Sequence, residues 1–204
     1  MKLTSWKSAR ESFLVEAESI RQARDHIGKA AFGRAVDALA KAERIAVSGC
    51  GHSGIACRHF AHSLCCIERP ARFLSPSEAL HGASGFIRKG DALVLASRGG
   101  QTAELLPLAR IGRQKGAFII VVTENRASSL ALDADVVLRL HVERESDRHN
   151  QQGTSSFVVL SAIFDALQVA LLEETNFKGE QFALIHPGGA VGHRLAERAV
   201  DGRA

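Results

Sequence analysis

The sequence predicts an α/β protein: a three-layer αβα sandwich around a five-stranded parallel sheet, with additional N-terminal helices. Two observations support this fold class. Five short apolar runs follow residue 43, and several are near-continuous and β-branched, as is typical of strands buried on both faces. Stretches with helical spacing separate most of these runs. Strands that alternate with helices at this spacing form a parallel sheet with right-handed crossovers.

The first 43 residues show a helical pattern instead of a strand pattern. Apolar side chains recur at helical spacing from Trp6 to Ile27, Gly28 interrupts the pattern, and a second helical stretch runs to about Glu43. We expect residues 1–43 to form a helical hairpin or a long broken helix that covers the domain or an oligomer face. Residues 44–204 are then a single α/β domain.

The remaining elements follow in order. The predicted strands cover residues 44–48, 71–74, 91–97, 117–123 and 135–142, and the predicted helices cover 54–67, 77–86, 102–115, 126–132 and about 154–174. A polar loop, 143–153, precedes the last helix. That helix is apolar over most of its surface, so we expect it to lie between the sheet and a partner subunit.

Composition excludes several classes of protein. Hydrophobic residues make up 46% and charged residues 24%, as in ordinary globular proteins. We find no signal-peptide pattern and no 18-residue apolar span, so we expect a cytoplasmic protein without membrane contact. The net charge of +4 comes from scattered basic residues and not from a basic patch, so we expect no nucleic-acid partner. The four cysteines form no C-x-x-C pair, and we expect buried thiols.

Three loops at the predicted carboxyl ends of strands share glycines and hydroxyls. They read SGCGHSG at 48–54, SRGGQT at 97–102 and GTSS at 153–156. Ligands of open parallel sheets bind at this edge, and the free N–H groups of a helix start favour an anion. Ser and Thr are also ordinary helix caps. Three such loops at one edge nevertheless favour a phosphate site over chance capping.

The first loop also fits the glycine pattern of dinucleotide-binding proteins, with Gly49, Gly51 and Gly54. That interpretation requires an acid at the end of the second strand to hold a ribose. The strand ends Leu74-Ser75, with no acid at its tip, and no Walker A motif occurs. We therefore expect a single phosphate and no nicotinamide cofactor.

Five segments occur in a recognisable order over roughly residues 40–195. They are GCGHSG, SPSEALHG, SRGGQTAELL, VERE followed by TSS, and FALIHPGGAVGHRL. In this combination the chain resembles a sugar isomerase (SIS) domain, and more narrowly the isomerase domain of arabinose-5-phosphate isomerases. The resemblance implies a phosphosugar ligand, no cofactor and a homotetramer. Such enzymes usually continue into a pair of CBS modules, which we expect to be missing here.

The resemblance further implies aldose–ketose interconversion through an enediol. This reaction needs one acid/base group for ring opening and another for proton transfer between neighbouring carbons. The family pattern points to His186 and Glu145 for these roles and to His81 as a ligand contact. The residues expected to bind substrate are Gly51, Ser53, Ser97, Arg98, Gln101, Thr102, Thr154, Ser155 and Ser156.

The sequence departs from the family pattern inside these loops. His52, a further candidate catalytic residue, stands where the family usually carries Lys, and Gln101 stands where it usually carries Glu. Gly99 replaces a serine of S-x-S-G, and the preceding Arg98 offers phosphate a charged donor instead. Because Gln101 cannot act as a base, a second function stays open, that of a non-catalytic phosphosugar sensor.

The histidines allow one further hypothesis. If His52, His81 and His186 converged near Glu145, they would form a plausible transition-metal site. We otherwise expect no metal.

Overall fold

The computed structural model describes residues 1–189, Gly192 and Arg194. Its elements, in chain order, are α1 (Leu3–His26), α2 (Lys29–Lys41), β1 (Ile45–Gly49), α3 (Gly51–Cys65), β2 (Ala71–Phe73), α4 (Pro76–Leu80), a 3-10 turn (Ala83–Phe86), β3 (Ala92–Ala96), α5 (Leu105–Lys115), β4 (Phe118–Thr123), α6 (Ser129–Leu132), β5 (Val136–Arg139), α7 (Ser155–Glu174) and α8 (Gly179–Ile185).

The sheet confirms the predicted fold class. Its five strands are parallel and lie in the order β2-β1-β3-β4-β5. All residues of β1 and β3 are buried, which explains their unbroken apolar runs. From β1 the chain runs outward to β2 on one side and then returns to β3 on the other. The crevice between the ends of β1 and β3 is therefore the switch point of the sheet, where such folds bind ligands.

Helices cover both faces of the sheet. One apolar core joins the sheet to α2, α3 and α7, and a second joins the opposite face to α4, α5 and α6. Phe60 of α3 and Phe164 of α7 stack in parallel with ring centroids 4.3 Å apart. This contact packs α3 and α7 side by side, and both helices begin at the carboxyl edge of the sheet because they follow β1 and β5 in the chain.

The N-terminal segment forms two helices that are interrupted at Gly28, as the sequence predicts, and both helices pack against α7. Gly28 has φ of 77° at the junction of α1 and α2, a backbone angle that glycine adopts readily. Helix α2 buries Ala35, Val36 and Leu39, whereas α1 buries only Ser19 and Ala23. Helix α1 leaves several large apolar side chains exposed: Leu3, Trp6, Phe13 and Leu14.

Two predicted helices have different limits in the structure. The helix expected over 77–86 ends at Leu80, and a 3-10 turn follows, because Gly82 adopts φ of 110° between them. The helix expected from Thr102 begins at Leu105, since residues 99–104 form an irregular turn. The second hydroxyl loop is therefore longer than its sequence indicated.

Helix α7 corrects the expectation that the chain has no long apolar span. Its 20 residues, with a mean hydropathy of 1.9 over an 18-residue window, have the length and composition of a membrane span. The helix nevertheless contacts α1, α2 and α3. Its buried side chains, Val159, Leu160, Ile163, Phe164, Leu167 and Leu171, belong to the core of the domain.

The cysteines also differ from expectation. Cys57 is buried, and burial raises the pKa of its thiol. Cys65, in contrast, is exposed, and Cys50 and Cys66 are half-buried. All four are free thiols, so the prediction of unpaired cysteines is confirmed and that of complete burial is wrong.

Candidate functional site

The three hydroxyl-rich loops meet in one crevice at the switch point of the sheet. Its lining residues are His52, Ser53, Ser97, Arg98, Val122, Leu140, Ser156, Phe157 and Leu160. The space they enclose is about 20 Å³, enough for roughly one water molecule. Three hydroxyls and one guanidinium therefore surround a narrow gap beside a buried apolar wall.

The glycines of the first loop are required for two different structural reasons. Gly51, with φ of 54°, begins α3. A Cβ on Gly54 would lie 2.6 Å from the carbonyl oxygen of Gly49, so these two glycines allow α3 to pack closely against β1. The Ser48 hydroxyl donates to the carbonyl of Leu74 at 2.7 Å and is buried. Ser53 is thus the serine of this loop that faces the crevice.

The second loop places two hydroxyls together. The Oγ atom of Ser97 and the Oγ1 atom of Thr102 are 2.8 Å apart, and Ser97 Oγ also accepts from the N–H of Gly100 at 3.0 Å. This fold of the loop brings Thr102 back beside Ser97, and of these two residues Ser97 lines the crevice. The side chain of Gln101 points elsewhere: it is exposed and does not line the crevice.

Glu145 occupies the N-terminus of α7. Its side chain is only 2% exposed. Its Oε2 atom accepts from the N–H of Thr154 at 2.9 Å, the N–H of Ser156 at 3.0 Å and the hydroxyl of Thr154 at 3.1 Å. Helix N-termini bind anions through such free N–H groups. In this structure the anion at the start of α7 is the chain's own carboxylate.

Arg98 completes the environment of Glu145. Its Nη1 atom donates to Glu145 Oε1 at 2.5 Å, and its Nε atom donates to Glu124 Oε2 at 2.8 Å. One guanidinium therefore serves two carboxylates. Glu124 was not among the residues predicted from the sequence. An acid directly after the fourth strand nevertheless lies at the same edge as Arg98 and could have been singled out on that ground.

The pKa of Glu145 reflects these contacts. Burial alone raises the pKa of the carboxyl, but hydrogen bonds from Ser156 and Thr154 and the charge of Arg98 together outweigh burial and lower it. Glu145 is therefore ionised at neutral pH. While Arg98 holds it, the carboxylate is a weak proton acceptor.

The remaining residues of the third loop and His52 pack around this centre. Ser155 is buried, and its Oγ atom has no hydrogen-bond partner in the part of the chain that the structure describes. His52 is exposed and lies edge-on to the ring of Phe157. A Cβ on Gly153 would lie 2.9 Å from His52 Nδ1, so the glycine allows the 143–153 loop to pack on the histidine.

A second, larger cleft of about 410 Å³ lies on the other side of the first turn of α3. Its polar lining residues include Cys50, Arg58, Ser75, Ser77 and Glu104, and the backbone of Gly51 contributes to it. Two clefts of different size thus flank one helix start. No sequence pattern singled out Glu104, because it lies within a predicted helix.

Two predicted catalytic histidines lie outside both clefts. His81 is exposed at the end of α4, and His186 follows α8, where its ring stacks on Phe182 at 3.8 Å. Gln181 of α8 donates to Glu68, which precedes β2 at the opposite, amino edge of the sheet. Within one chain, neither histidine joins His52. The end of the FALIHPGGAVGHRL segment, at 190, 191, 193 and 195, lies outside the described residues.

The hypothesis of a three-histidine metal site fails for a single chain. Over residues 1–189, Gly192 and Arg194, no group of three or more His, Cys, Asp or Glu side chains is arranged to hold a metal ion. His52, His81 and His186 stand at separate positions in the fold. Within one chain, the charged partner of Glu145 is Arg98.

Comparison with known proteins gives a consistent result. Residues 38–170 match the SIS domain family. Arabinose 5-phosphate isomerase KpsF of Escherichia coli is 33% identical over 195 residues, which cover 95% of this chain and 62% of the relative. This chain thus spans about six tenths of the length of that enzyme.

Solved structures agree in fold. The crystal structure of a Listeria monocytogenes protein, proposed to be a sugar-phosphate isomerase, has a TM-score of 0.89 at 39% identity, covering 92% of this chain and 100% of that one. The protein c3406 of E. coli CFT073, in complex with arabinose 5-phosphate, has a TM-score of 0.85 at 27% identity, with coverage of 92% and 100%.

Proposed function

The chain belongs to the SIS domain family, and we propose that it is a phosphosugar isomerase that interconverts an aldose phosphate and a ketose phosphate. One observation carries the proposal: three hydroxyls and the guanidinium of Arg98 converge in a crevice at the switch point of the sheet. Hydroxyls and guanidinium groups are donors that suit phosphate oxygens. The relatives named as arabinose 5-phosphate isomerases, and the structure that holds arabinose 5-phosphate, support a sugar as the remainder of the ligand.

The phosphate group is proposed to bind at the first turn of α3. The free N–H groups there have no side-chain cap, and the helix dipole favours an anion. Hydroxyl donors around this point come from Ser53, Ser97 and Ser156. The hydroxyl of Thr102 is hydrogen-bonded to that of Ser97. The unpaired hydroxyl of Ser155 at the start of α7 is a further donor close to Ser156.

Glu145 is proposed as the base of the enediol step. It would take the proton from the carbon beside the carbonyl, the electron pair of that C–H bond would form the enediol double bond, and the carbonyl oxygen would gain a proton. The isomerisation is completed when Glu145 returns its proton to the neighbouring carbon and the hydroxyl on the carbon first deprotonated loses its proton, so that its oxygen becomes the new carbonyl. For this role Glu145 must first be released from Arg98, which occupies its Oε1 atom. Hydrogen bonds from Ser156 and Thr154, together with the charge of Arg98, keep the pKa of Glu145 low.

Ring opening needs a second acid/base, for which His52, His81 and His186 are the proposed candidates. His52 is the member of this set that lines the crevice of its own chain. His81 and His186 would act in the site of a second copy, which requires an oligomer. The exposed apolar side chains of α1, among them Trp6 and Phe13, support a homo-oligomer, for which we propose a tetramer in the cytoplasm.

A non-catalytic phosphosugar sensor is the second candidate function. The observation in its favour is that Gln101 is exposed and uncharged, while Glu145 is held by Arg98 and two backbone N–H groups. A sensor would need the phosphate site but no available base. No cofactor and no nucleic-acid partner enter either proposal.

The test is a panel of aldose and ketose phosphates, including arabinose 5-phosphate, incubated with the protein in deuterated water. We expect deuterium to appear at the carbon beside the carbonyl of one substrate pair. Glu145→Gln should lower the exchange rate by about 100-fold or more while the ligand still binds. Glu143→Gln, which removes a carboxylate two residues away, should exchange like the wild type.

The outcomes separate the two functions. Binding without exchange across the whole panel supports the sensor and contradicts the isomerase. Exchange by Glu145→Gln at the wild-type rate would show that another residue is the base.

A further inference from the structure

Arg98 stands between the phosphate site and the proposed base. We propose that the phosphate group of the substrate displaces Glu145 from Arg98, and that Glu124 keeps its hold on the guanidinium while this exchange takes place. The inference rests on the proposed function, since it concerns how the same crevice opens. Glu124 is then a positioning residue, and the Arg98–Glu145 ion pair is the closed arrangement of the site.

The size of the crevice requires that part of its lining moves. The enclosed 20 Å³ is far below the roughly 300 Å³ or more of ordinary small-molecule sites. The apolar lining residues are buried in the core, and moving them would disrupt close packing: Val122, Leu140 and Leu160. Arg98 is the long, flexible member of the lining, and its side chain is 37% exposed. Its movement is the least costly way to admit a phosphate.

The two carboxylates bind different nitrogens of Arg98, so phosphate can replace one of them without disturbing the other. A guanidinium has five N–H donors. The Nε donor serves Glu124 and one Nη1 donor serves Glu145, so three donors remain for other partners. Phosphate prefers the paired donors at the end of the fork. It can therefore replace Glu145 at that end while Glu124 stays on Nε.

Charge and burial decide which carboxylate is displaced. The single positive charge of Arg98 faces two negative charges, so an incoming phosphate dianion competes with both carboxylates for the guanidinium. Glu124 is 35% exposed and partly screened by solvent, whereas Glu145 is 2% exposed and borders the crevice through Arg98. Glu145 is therefore the carboxylate that competes with phosphate for the guanidinium inside the crevice.

Glu145 can leave Arg98 without becoming an unsatisfied buried charge. Its Oε2 atom keeps three donors, from the backbone of Thr154 and Ser156 and from the Thr154 hydroxyl. Only Oε1 loses its partner, so the lone pair that accepted from Arg98 becomes free beside the bound sugar. Phosphate binding would thus expose Oε1 of the proposed base to the bound sugar and remove the charge of Arg98, one of the contacts that lower the pKa of Glu145.

The experiment compares binding of inorganic phosphate and of arabinose 5-phosphate by titration calorimetry. The variants are Glu145→Gln and Glu143→Gln, each made with Arg98 present and in an Arg98→Met background. We expect Glu145→Gln to bind both probes about three- to tenfold more tightly than the wild type when Arg98 is present. In the Arg98→Met background the same substitution should change affinity by less than about twofold.

Glu143→Gln controls for the removal of one negative charge and should stay within about twofold of the wild type in both backgrounds. Glu145→Asp keeps the charge but withdraws the carboxylate from Arg98, so it should also bind more tightly, by a smaller factor. This second variant keeps the proposal testable if Glu145→Gln does not fold.

The results distinguish the inference from the function on which it rests. If Arg98→Met weakens binding but neither Glu145 variant tightens it, the exchange is wrong and the phosphosugar site stands. If the wild type binds neither probe, both proposals are overturned.

Discussion

Strand β3 carries an arginine–carboxylate pair at each of its ends, and the two pairs differ in how completely they are satisfied. At the amino end, Asp91 accepts from Nε and Nη2 of Arg44 at 3.2 Å and 2.8 Å, and its Oδ2 also accepts from the N–H of Arg88. At the carboxyl end, Arg98 is divided between Glu124 and Glu145.

The surroundings of Arg44 also hold its guanidinium more firmly than those of Arg98 do. The guanidinium of Arg44 lies 5.2 Å from the ring centre of Phe86, a cation–π contact, and its partner is fixed by two parallel hydrogen bonds. Arg98 instead faces hydroxyls that line a crevice. The acid of the amino-end pair is thus fixed within the protein, whereas under our proposal the carboxyl-end pair exchanges one carboxylate for a ligand.

The largest expected effect concerns the amino end. Asp91→Ala would leave the Arg44 guanidinium without its carboxylate and the Arg88 N–H without an acceptor. We expect a loss of about 3 kcal/mol in the free energy of unfolding, measured by urea denaturation. Affinity for inorganic phosphate should remain that of the wild type. A variant with normal stability but altered phosphate affinity would abolish the distinction between the two ends.

A smaller effect concerns the pH dependence of stability at the carboxyl end. The pKa of Glu145 is lowered in the folded state, so its stabilisation is fully present above the ordinary carboxyl pKa of about 4.3. It is lost as pH falls through the lower folded value. We expect the stability difference between the wild type and Glu145→Gln to be constant near neutral pH and to narrow below about pH 4. A difference that stays constant down to about pH 2 would contradict the pKa assignment.

Much of the fold could be predicted because the central strands are buried on both faces. A run such as AFIIVVT, 117–123, needs no knowledge of tertiary contacts to indicate a strand, and β4 covers Phe118–Thr123. The limits of a helix were predicted wrongly where the backbone angle of a single residue ends the helix. The break at Gly82 depends on a φ of 110°, which helical periodicity in the flanking residues does not reveal.

The candidate site was predictable in its location but not in its contacts. Hydroxyls after strands of a parallel sheet must lie at one edge, and Ser53, Ser97 and Ser156 do line one crevice there. The ion pair of Arg98 with Glu145 joins residues 47 positions apart. Which acid reaches the guanidinium depends on how the 143–153 loop folds against His52, and that is set only by packing.

The most direct test of the account compares arabinose 5-phosphate binding by the wild type, Arg98→Met and Arg44→Met in titration calorimetry. Arg98→Met should weaken binding by about 10- to 100-fold, because a charge-assisted hydrogen bond to phosphate is lost. Arg44→Met, which removes the arginine that pairs with Asp91 at the amino end of β3, should bind as the wild type does. Equal affinities for all three proteins would contradict the claim that the carboxyl-end crevice is the phosphate site.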